Sequence, residues 1–370
     1  MYHLIFIVKI KIIMKVCILG SGLTSLTLAK ALVNKGVSTD VFLSENDKKN
    51  DKSRTLGISK SNIEFFNKNI LNIEKFLWDI EKIEIYSENL NNKRIIDFDN
   101  QKKRLFSVIK NHELNSYLIS QLKKNKFFKF KKSIDNYEVI KKKYQLIINC
   151  ESNNKITKKF FYRKLKKDYN SYAYTTIIEH NKIPKNNIAT QTFTKKGPIA
   201  FLPISNKETS IVYSIKGKKK IEVADLIRKF NIKYKINKIN KINCFELKSS
   251  NLRSYYYKNI LAFGDLLHKI HPLAGQGFNM SIRDIKSLIK IIEYKISLGL
   301  DLDESICEEF ESQNKHKNYI FSNGIDLVHE FFNIENNINN DMLSKFIKFF
   351  VNNKISNKFF TRLADEGIVI

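Results

Sequence analysis

The stretch from Gly264 to Asn279 carries residue types suited to holding a cofactor. A short apolar run, Ile260 to Phe263, has the length of a strand and leads to Asp265. An acidic residue at the carboxyl end of a buried strand can accept hydrogen bonds from ligand hydroxyls. Gly275 and Gly277 then precede an apolar helical pattern, so a ligand can approach the backbone N–H groups and the positive end of the helix dipole. The pattern predicts a site for a group that gains negative charge.

A second glycine-rich turn lies near the start of the chain. Lys15 to Leu19 has the pattern of a buried strand, and Gly20 and Gly22 follow it directly. An apolar helical pattern then runs to Gly36, and a second apolar strand begins at Thr39. This order of strand, glycine turn, helix and strand is typical of a dinucleotide-binding unit, whose helix N-terminus receives a pyrophosphate.

This unit departs from the usual dinucleotide-binding pattern at two positions. Ser25 stands where a third glycine is expected, and it is small enough for the helix to pack on the strand. The acidic residue that should bind the adenosine ribose is displaced, because Ser44 occupies its place and Glu45 follows. Either Glu45 shifts inward to the ribose or ribose recognition is weak.

Residues 264–284, GDLLHKIHPLAGQGFNMSIRD, resemble the second flavin motif of the group A aromatic hydroxylases, the para-hydroxybenzoate hydroxylase class. The similarity is greatest to the branch that hydroxylates ubiquinone precursors, in which HP[IL]AGQGFN is followed by RD. The resemblance implies that FAD is the cofactor. The resemblance assigns two groups of residues to the cofactor. The first unit contributes Gly20, Gly22, Ser25 and Glu45, and the second motif contributes Asp265, Pro272, Gly275, Gln276, Gly277, Phe278 and Asn279.

The resemblance also implies roles for these residues. Asp265 would hold the ribityl hydroxyls, and the amides of residues 277–279 would stabilise the anionic reduced ring. Pro272 would shape the substrate side of that ring. Arg54 matches an arginine that reaches the flavin from its own loop, with a solvated arginine as the alternative.

One short motif of the family is altered in this chain. Where the family carries an Asp-Gly pair after a buried strand, this chain has Glu151 and Ser152, and it keeps Asn154 shortly after them. That motif is tied to the flavin pyrophosphate and to the nicotinamide donor. The reductant therefore stays open between NAD(P)H and a protein electron donor.

Residues 172–214 carry a second resemblance to the ubiquinone-precursor hydroxylases, which is greatest in the segment QTFTKKGPIAFLP. Alternating apolar residues and turn signals predict a small antiparallel sheet that covers one side of the flavin ring. An aromatic substrate needs an apolar wall that also keeps water from a reactive intermediate. We assign this wall to residues 200–203, Ala-Phe-Leu-Pro, with Phe201, Leu202 and Pro203 as the substrate-binding residues.

These patterns predict an α/β fold: a Rossmann-like FAD-binding domain interleaved with a smaller antiparallel-sheet substrate domain and a helical C-terminus. The FAD-binding domain is predicted to be discontinuous, over residues 14–80, 103–160 and 250–300. The sheet domain would take 81–102 and 161–249, and the C-terminal helices 301–370. Residues 1–13 are interpreted as an extension ahead of Met14, with a short membrane-touching arm as the alternative.

Net charge and cysteine content indicate which partners and metals to expect. The net charge is +28, but lysines are spread along the whole chain and no nucleic-acid module is recognisable, so no nucleic-acid partner is predicted. A basic surface favours an anionic membrane face, which suits a substrate with a lipid tail. The cysteines are scattered and no cluster has metal-ligand spacing, which predicts reduced thiols, no metal and a cytoplasmic location, with peripheral membrane contact left open.

The resemblance implies an FAD-dependent monooxygenase that hydroxylates a prenylated phenol in ubiquinone biosynthesis, through a flavin C4a-hydroperoxide formed with O2. A quinone-biosynthesis complex is a further expected partner. His268 and His271 are the nearest candidate bases, but each is equally suited to a structural hydrogen bond, so no catalytic base is assigned. The alternatives are a flavin-binding accessory subunit without hydroxylase activity and a flavin reductase of isoprenoid double bonds.

Overall fold

A computed structural model describes residues 14–43, 52–88, 93–99, 104–133, 136–217, 222–270, 275–338 and 365–367. The strands, in chain order, are β1 (Lys15–Leu19), β2 (Ser38–Phe42), β3 (Thr55–Ser59), β4 (Trp78–Ile80), β5 (Lys82–Ser87), β6 (Lys93–Asp99), β7 (Phe106–Lys110), β8 (Phe128–Lys131), β9 (Leu146–Asn149), β10 (Lys164–His180), β11 (Ile188–Thr194), β12 (Gly197–Pro203), β13 (Glu208–Lys216), β14 (Ile236–Ile239), β15 (Asn243–Leu252), β16 (Tyr256–Tyr257), β17 (Ile260–Ala262) and β18 (His268–Lys269). The helices are α1 (Leu23–Asn34), α2 (Lys60–Asn69), α3 (Asn111–Lys123), α4 (Tyr137–Lys141), α5 (Lys155–Phe160), α6 (Val223–Phe230), α7 (Gln276–Ser297) and α8 (Glu304–Ile338).

The first sheet has the order β16-β17-β9-β1-β2-β8. Every pair in it is parallel except β16 with β17. Its central strands are buried on both faces, which is why they read as continuous apolar runs rather than alternating ones. Helix α1 packs against α3 and α7 in the same core. The dinucleotide-binding unit predicted from β1, α1 and β2 is therefore present, and the predicted α/β fold class is confirmed.

The second sheet follows the order β18-β15-β10-β13-β12-β11-β5-β6, with β14 paired to β10. Its pairs are antiparallel except β11 with β5. Helix α6 covers one face of this sheet, where Ile227 and Phe230 pack against apolar residues of β10, β12 and β13. The opposite face packs against a small third sheet with the order β3-β7-β4. An apolar cluster between the two sheets includes Ile80, Val108 and Ile177.

Hydrogen bonds join the third sheet to the second sheet. The Thr55 hydroxyl lies 2.7 Å from that of Ser210, and the indole N–H of Trp78 donates to the carbonyl of Asn186 at 2.7 Å. These bonds fix β3 against β13 of the second sheet and β4 against the loop that leads into β11. The domain boundaries given above stay a prediction.

We expect the core of the dinucleotide-binding unit to set much of the stability. Leu26 on α1 is fully buried, so Leu26→Ala should lower the free energy of unfolding by about 2–5 kcal/mol through lost burial and a cavity. Leu298→Ala is the matched control, because that side chain is 54% exposed and its loss should cost less than about 0.5 kcal/mol. Denaturant unfolding of both variants measures the difference. Equal losses would contradict the packing described here.

Candidate functional site

Three parallel strands end at one edge of the first sheet. Leu19 of β1 and Ala262 of β17 both pair with Asn149 at the end of β9. The residues that follow these strands must therefore meet at the same edge, where ligands of open α/β sheets bind. Gly20, Glu151 and Asp265 are the residues that this register brings together.

The contacts at this edge show that the three strand ends are close. A Cβ atom on Gly20 would lie 2.9 Å from Cγ of Glu151. Burial raises the pKa of the Cys150 thiol to about 12, and the nearby charges of Glu151 and Asp265 add to that rise. Gly20 thus lies against Glu151, which replaces the family's acidic residue, and Asp265 is close enough to act on Cys150 of the same turn.

The first glycine turn leaves the start of α1 open. Gly20 has φ +102°, in the region that favours glycine, and Gly22 is the N-cap of α1 without a side-chain cap. A Cβ atom on Gly22 would meet no atom of the described residues within 4 Å, so there is space in front of the helix. The first N–H groups of α1 can then bind a diphosphate. Ser25 is buried in the first turn, as its small side chain allows.

Asp265 presents a carboxylate at this edge. It lies in a short 3-10 turn, Gly264–Leu266, and its side chain is exposed, with no hydrogen-bond partner among the described residues. Gly264 has φ +62°, and a Cβ atom there would lie 3.0 Å from Cγ2 of Thr24 at the start of α1. Glycine at this position therefore lets the end of β17 pack against the first glycine turn. The carboxylate of Asp265 remains available to accept hydrogen bonds from a ligand.

Asn154, the polar residue kept after the altered motif, has a structural role. Its side chain caps α5 by accepting from the Thr157 N–H at 2.7 Å, and it donates to the side chain of Asn149 at 2.9 Å. Thr157 also donates its hydroxyl to the carbonyl of Glu151. These bonds order the turn that carries Glu151.

The N-terminus of α7 lies against β3. Gly275 is left-handed, with φ +65°, and a Cβ atom on it would lie 3.6 Å from the backbone N of Gly57. No side chain of the described residues caps this helix end, so its N–H groups are open to a ligand. Gln276 has a buried Oε1 atom without a hydrogen-bond partner in the same part of the chain. A nearby donor on a bound cofactor would satisfy that atom.

Asn279 and Phe278 would contribute to this site through the backbone, because their side chains point into the protein. The Asn279 amide accepts from Ser59 N at 2.9 Å and from Asn62 at 3.0 Å, and it donates to the carbonyl of Gly57 at 2.8 Å. Phe278 is 8% exposed and belongs to the core of the parallel sheet. The Asn279 side chain therefore ties α7 to β3 and α2.

Helix α7 also connects the two glycine turns. It packs against α1 and against the Gly264–Leu266 turn that carries Asp265. Helices α1 and α7 and the turn that carries Asp265 thus belong to one packed unit.

Arg54 lies just before β3, with an exposed side chain that has no hydrogen-bond partner among the residues that the structure describes. Its backbone carbonyl accepts from the N–H of Asn111 at 3.0 Å. The preceding Ser53 accepts from the side chain of Asn243 at 2.9 Å and lies 3.5 Å from the Thr175 hydroxyl. The loop of Arg54 is thus held near the second sheet, and its guanidinium is available to a ligand.

One cross-strand row of the second sheet faces this loop, and of its residues only Ala200 was predicted as part of the substrate site. Strand pairing aligns six residues of six neighbouring strands across one face of the sheet. They are Ile85 of β5, Gln191 of β11, Ala200 of β12, Val212 of β13, Thr175 of β10 and Asn243 of β15. All but Thr175 are half-buried although most lie within the sheet. We call this set the floor row. Such partial exposure inside a sheet means that this face is not covered as a packed core and can contact a ligand.

The predicted apolar wall needs correction. Successive residues of a strand point to opposite faces, so Phe201, Leu202 and Pro203 cannot line one surface together. Phe201 is 2% exposed and packs beneath α6 on the face away from the floor row, beside Tyr234. Pro203 alternates to the same face as Phe201 and is buried. Leu202 faces the third sheet, in the cluster with Trp78.

His268 is engaged in a structural bond. Its Nε2 atom is hydrogen-bonded to the carboxylate of Asp284, and both side chains are almost fully buried. Asn318 of α8 donates to the other oxygen of the same carboxylate at 2.9 Å. The pair therefore ties β18 to α7 and α8. His271 and the two predicted cofactor residues Pro272 and Glu45 lie outside the described residues.

The chain is similar in sequence to a family of FAD-binding domains and to ubiquinone-biosynthesis hydroxylases. Residues 217–297 match a family model described as an FAD binding domain. The mitochondrial ubiquinone biosynthesis monooxygenase COQ6 of Schizosaccharomyces pombe is 21% identical over 242 residues, which cover 52% of this chain and 50% of that protein. The 3-demethoxyubiquinol 3-hydroxylase of Escherichia coli is 28% identical over 150 residues, which cover 38% of this chain and 38% of that protein. The chain thus matches half or less of the length of these relatives.

Solved structures share the fold over nearly the whole chain. Klebsiella pneumoniae HpxO, complexed with FAD and uric acid, superimposes with a TM-score of 0.73 at 13% identity and covers 95% of this chain and 97% of its own. The p-nitrophenol 4-monooxygenase PnpA of Pseudomonas putida gives 0.72 at 12% identity, over 94% and 98% of the two chains. The resemblance inferred from the sequence motifs is confirmed, and the fold is that of FAD-dependent monooxygenases.

The pKa of Cys150 predicts the reactivity of that thiol. Because the pKa of this thiol is raised to about 12, very little of it is ionised at pH 8, and the thiolate is the nucleophile. Iodoacetamide at pH 8 should therefore leave Cys150 unmodified in the folded protein and modify it after unfolding. Peptide mass spectrometry checks this, with the unfolded protein as control. Rapid alkylation of Cys150 in the folded state would contradict the assigned burial and charge.

Proposed function

We propose that this chain, which has the fold and motifs of FAD-dependent aromatic monooxygenases, binds FAD and hydroxylates the ring of a prenylated phenol in ubiquinone biosynthesis. The observation that carries the proposal is that α1 and α7, whose N-termini both lack a side-chain cap, pack against each other, and that α7 also packs against the turn that carries the Asp265 carboxylate. Such an arrangement suits a ligand with a diphosphate, a polyol and an electron-accepting ring.

The residues fit the parts of FAD in turn. The N–H groups at the start of α1, beyond Gly20 and Gly22, would hold the diphosphate. The exposed carboxylate of Asp265 would accept hydrogen bonds from the ribityl chain. The carboxylate of Glu151 lies beside Gly20, where it can accept from a ligand hydroxyl. Arg54 would reach the ring from its own loop.

The N-terminus of α7 would serve the ring itself. When bound, FAD supplies the activation of O2 for transfer of one oxygen atom to the aromatic ring. The uncapped N–H groups from Gly277 to Asn279 would stabilise negative charge on the reduced ring. The bonds of the Asn279 side chain to β3 and α2 hold these groups in place, so little reorganisation is needed when charge develops.

The floor row would bind the aromatic substrate. Ala200 and Val212 have small apolar side chains, which would leave space for an aromatic ring against the sheet. Gln191, which pairs with Ala200, carries an amide that can hydrogen-bond a phenol hydroxyl. Covering this surface with substrate would exclude water from the ring. The substrate class rests on the ubiquinone-hydroxylase resemblance.

The reductant and the membrane contact are further parts of the proposal. We take NAD(P)H or a protein donor as the source of electrons. A prenyl tail would leave the site toward a membrane, whose anionic face would attract a chain of net charge +28. Within the described residues, no helix is long and apolar enough to span a membrane.

The first test of this function is cofactor binding. The purified protein should carry a yellow flavin that heat releases as FAD, and Asp265→Ala should weaken FAD binding by about 10- to 150-fold, because a lost hydrogen bond to a charged group costs about 1.5–3 kcal/mol. Asp301→Ala is the control, since Asp301 is also exposed but lies before α8. Folded protein that takes up no FAD would refute the function, and unchanged affinity in Asp265→Ala would remove that residue from the site.

The second test concerns the floor row. In a deletion strain that carries the gene on a plasmid, Ala200→Phe should abolish quinone production while FAD stays bound, because the added ring fills the substrate surface. Ala200→Ser, with almost the same volume, should restore production. Mass spectrometry of lipid extracts follows quinone and any under-hydroxylated prenylphenol. Full quinone production with Ala200→Phe would place the substrate elsewhere.

A further inference from the structure

Residues 365–367, which we call the clasp, cap α2 from a distant part of the chain. The Asp365 carboxylate accepts from the N–H of Ser61 at 2.8 Å, and its carbonyl accepts from the hydroxyls of Ser59 and Ser61 at 2.9 Å each. The N-cap residue of α2, Ser59, makes no side-chain cap of its own. Asp365 therefore takes the place of an N-cap side chain and adds a negative charge at the positive end of the helix.

The clasp also covers a buried cation of α7. Arg283 has its Nη1 and Nη2 atoms buried without hydrogen-bond partners among the described residues, and its guanidinium lies 4.5 Å from the ring centre of Phe321. Burial lowers the pKa of Arg283 to about 10, and the charges of Asp284 and Asp365 oppose that shift, so the group stays charged at neutral pH. Gly367 has φ +77°, and a Cβ atom on it would lie 2.8 Å from Nε of Arg283.

The two contacts of the clasp converge on the junction that orients the N-terminus of α7. Ser59, which donates its hydroxyl to Asp365, also donates its N–H to the side chain of Asn279. Arg283 lies on α7 one turn beyond Asn279. The clasp therefore touches both β3–α2 and α7, the elements whose junction the Asn279 side chain holds.

We propose that Asp365 and Arg283 are positioning residues, through which the clasp fixes the first turn of α7 for the cofactor. The proposal rests on the proposed function, since it takes FAD as the ligand of that turn. Neither residue needs to touch FAD. Loss of the clasp should loosen the junction of β3, α2 and α7 and weaken FAD binding.

Gly367→Ala tests the clasp with little change in chemistry. The new methyl group should push the clasp from Arg283 and raise the Kd for FAD by about tenfold. Gly299→Ala is the matched control, because Gly299 has a similar φ of +70° but no atom of the described residues within 4 Å of its Cβ position. It should leave the Kd for FAD within about twofold of the wild type.

Asp365 gives the second test. Asp365→Ala removes the acceptor for Ser61 and should weaken FAD binding, whereas Asp365→Asn keeps a carbonyl oxygen there and should restore most of the affinity. Hydrogen exchange of apo-protein should show faster exchange at the starts of α2 and α7 in Asp365→Ala. Wild-type affinity and exchange in both Asp365→Ala and Gly367→Ala would overturn the proposal. Wild-type protein that binds no FAD would instead refute the proposed function, and the exchange result would still test the clasp.

Discussion

The parallel register of β17, β9, β1 and β2 is the constraint on which the site depends. Because these strands run in the same direction, their carboxyl ends share one edge, and residues far apart in sequence meet there. Gly264 strengthens this arrangement, since the absence of a side chain lets β17 end against the start of α1. A change of register by one residue would move Asp265 away from the first glycine turn.

The rest of the site is attached to this edge by polar side chains. Asn279 joins α7 to β3 and α2, while Ser53 and Thr55 join the β3 region to the second sheet. Buried hydrogen bonds of this kind contribute modestly to net stability, but breaking one leaves a buried group unsatisfied. These bonds therefore specify how the sheets face each other, and the apolar clusters provide most of the stabilisation.

The sequence indicated the local parts of the site better than its surfaces. The two glycine turns were predictable because strand, turn and helix lie within a few residues of one another. The floor row was not, because residues such as Gln191, Val212 and Asn243 meet only through strand pairing. Phe201 was assigned to the wrong face because consecutive residues that match the family segment were taken to form one surface. In a strand, neighbouring side chains point to opposite faces. The contact of Asp365 with Ser61 spans too much of the chain to leave a local signal.

Hydrogen exchange with and without FAD tests the central claim most directly, because it reports on both glycine turns in one experiment. FAD should slow exchange of the amides at residues 20–26 and 275–280 together, while amides of α6, on the far face of the second sheet, keep their rates. Binding of FAD without protection of these two turns would contradict the claim that they form one cofactor site.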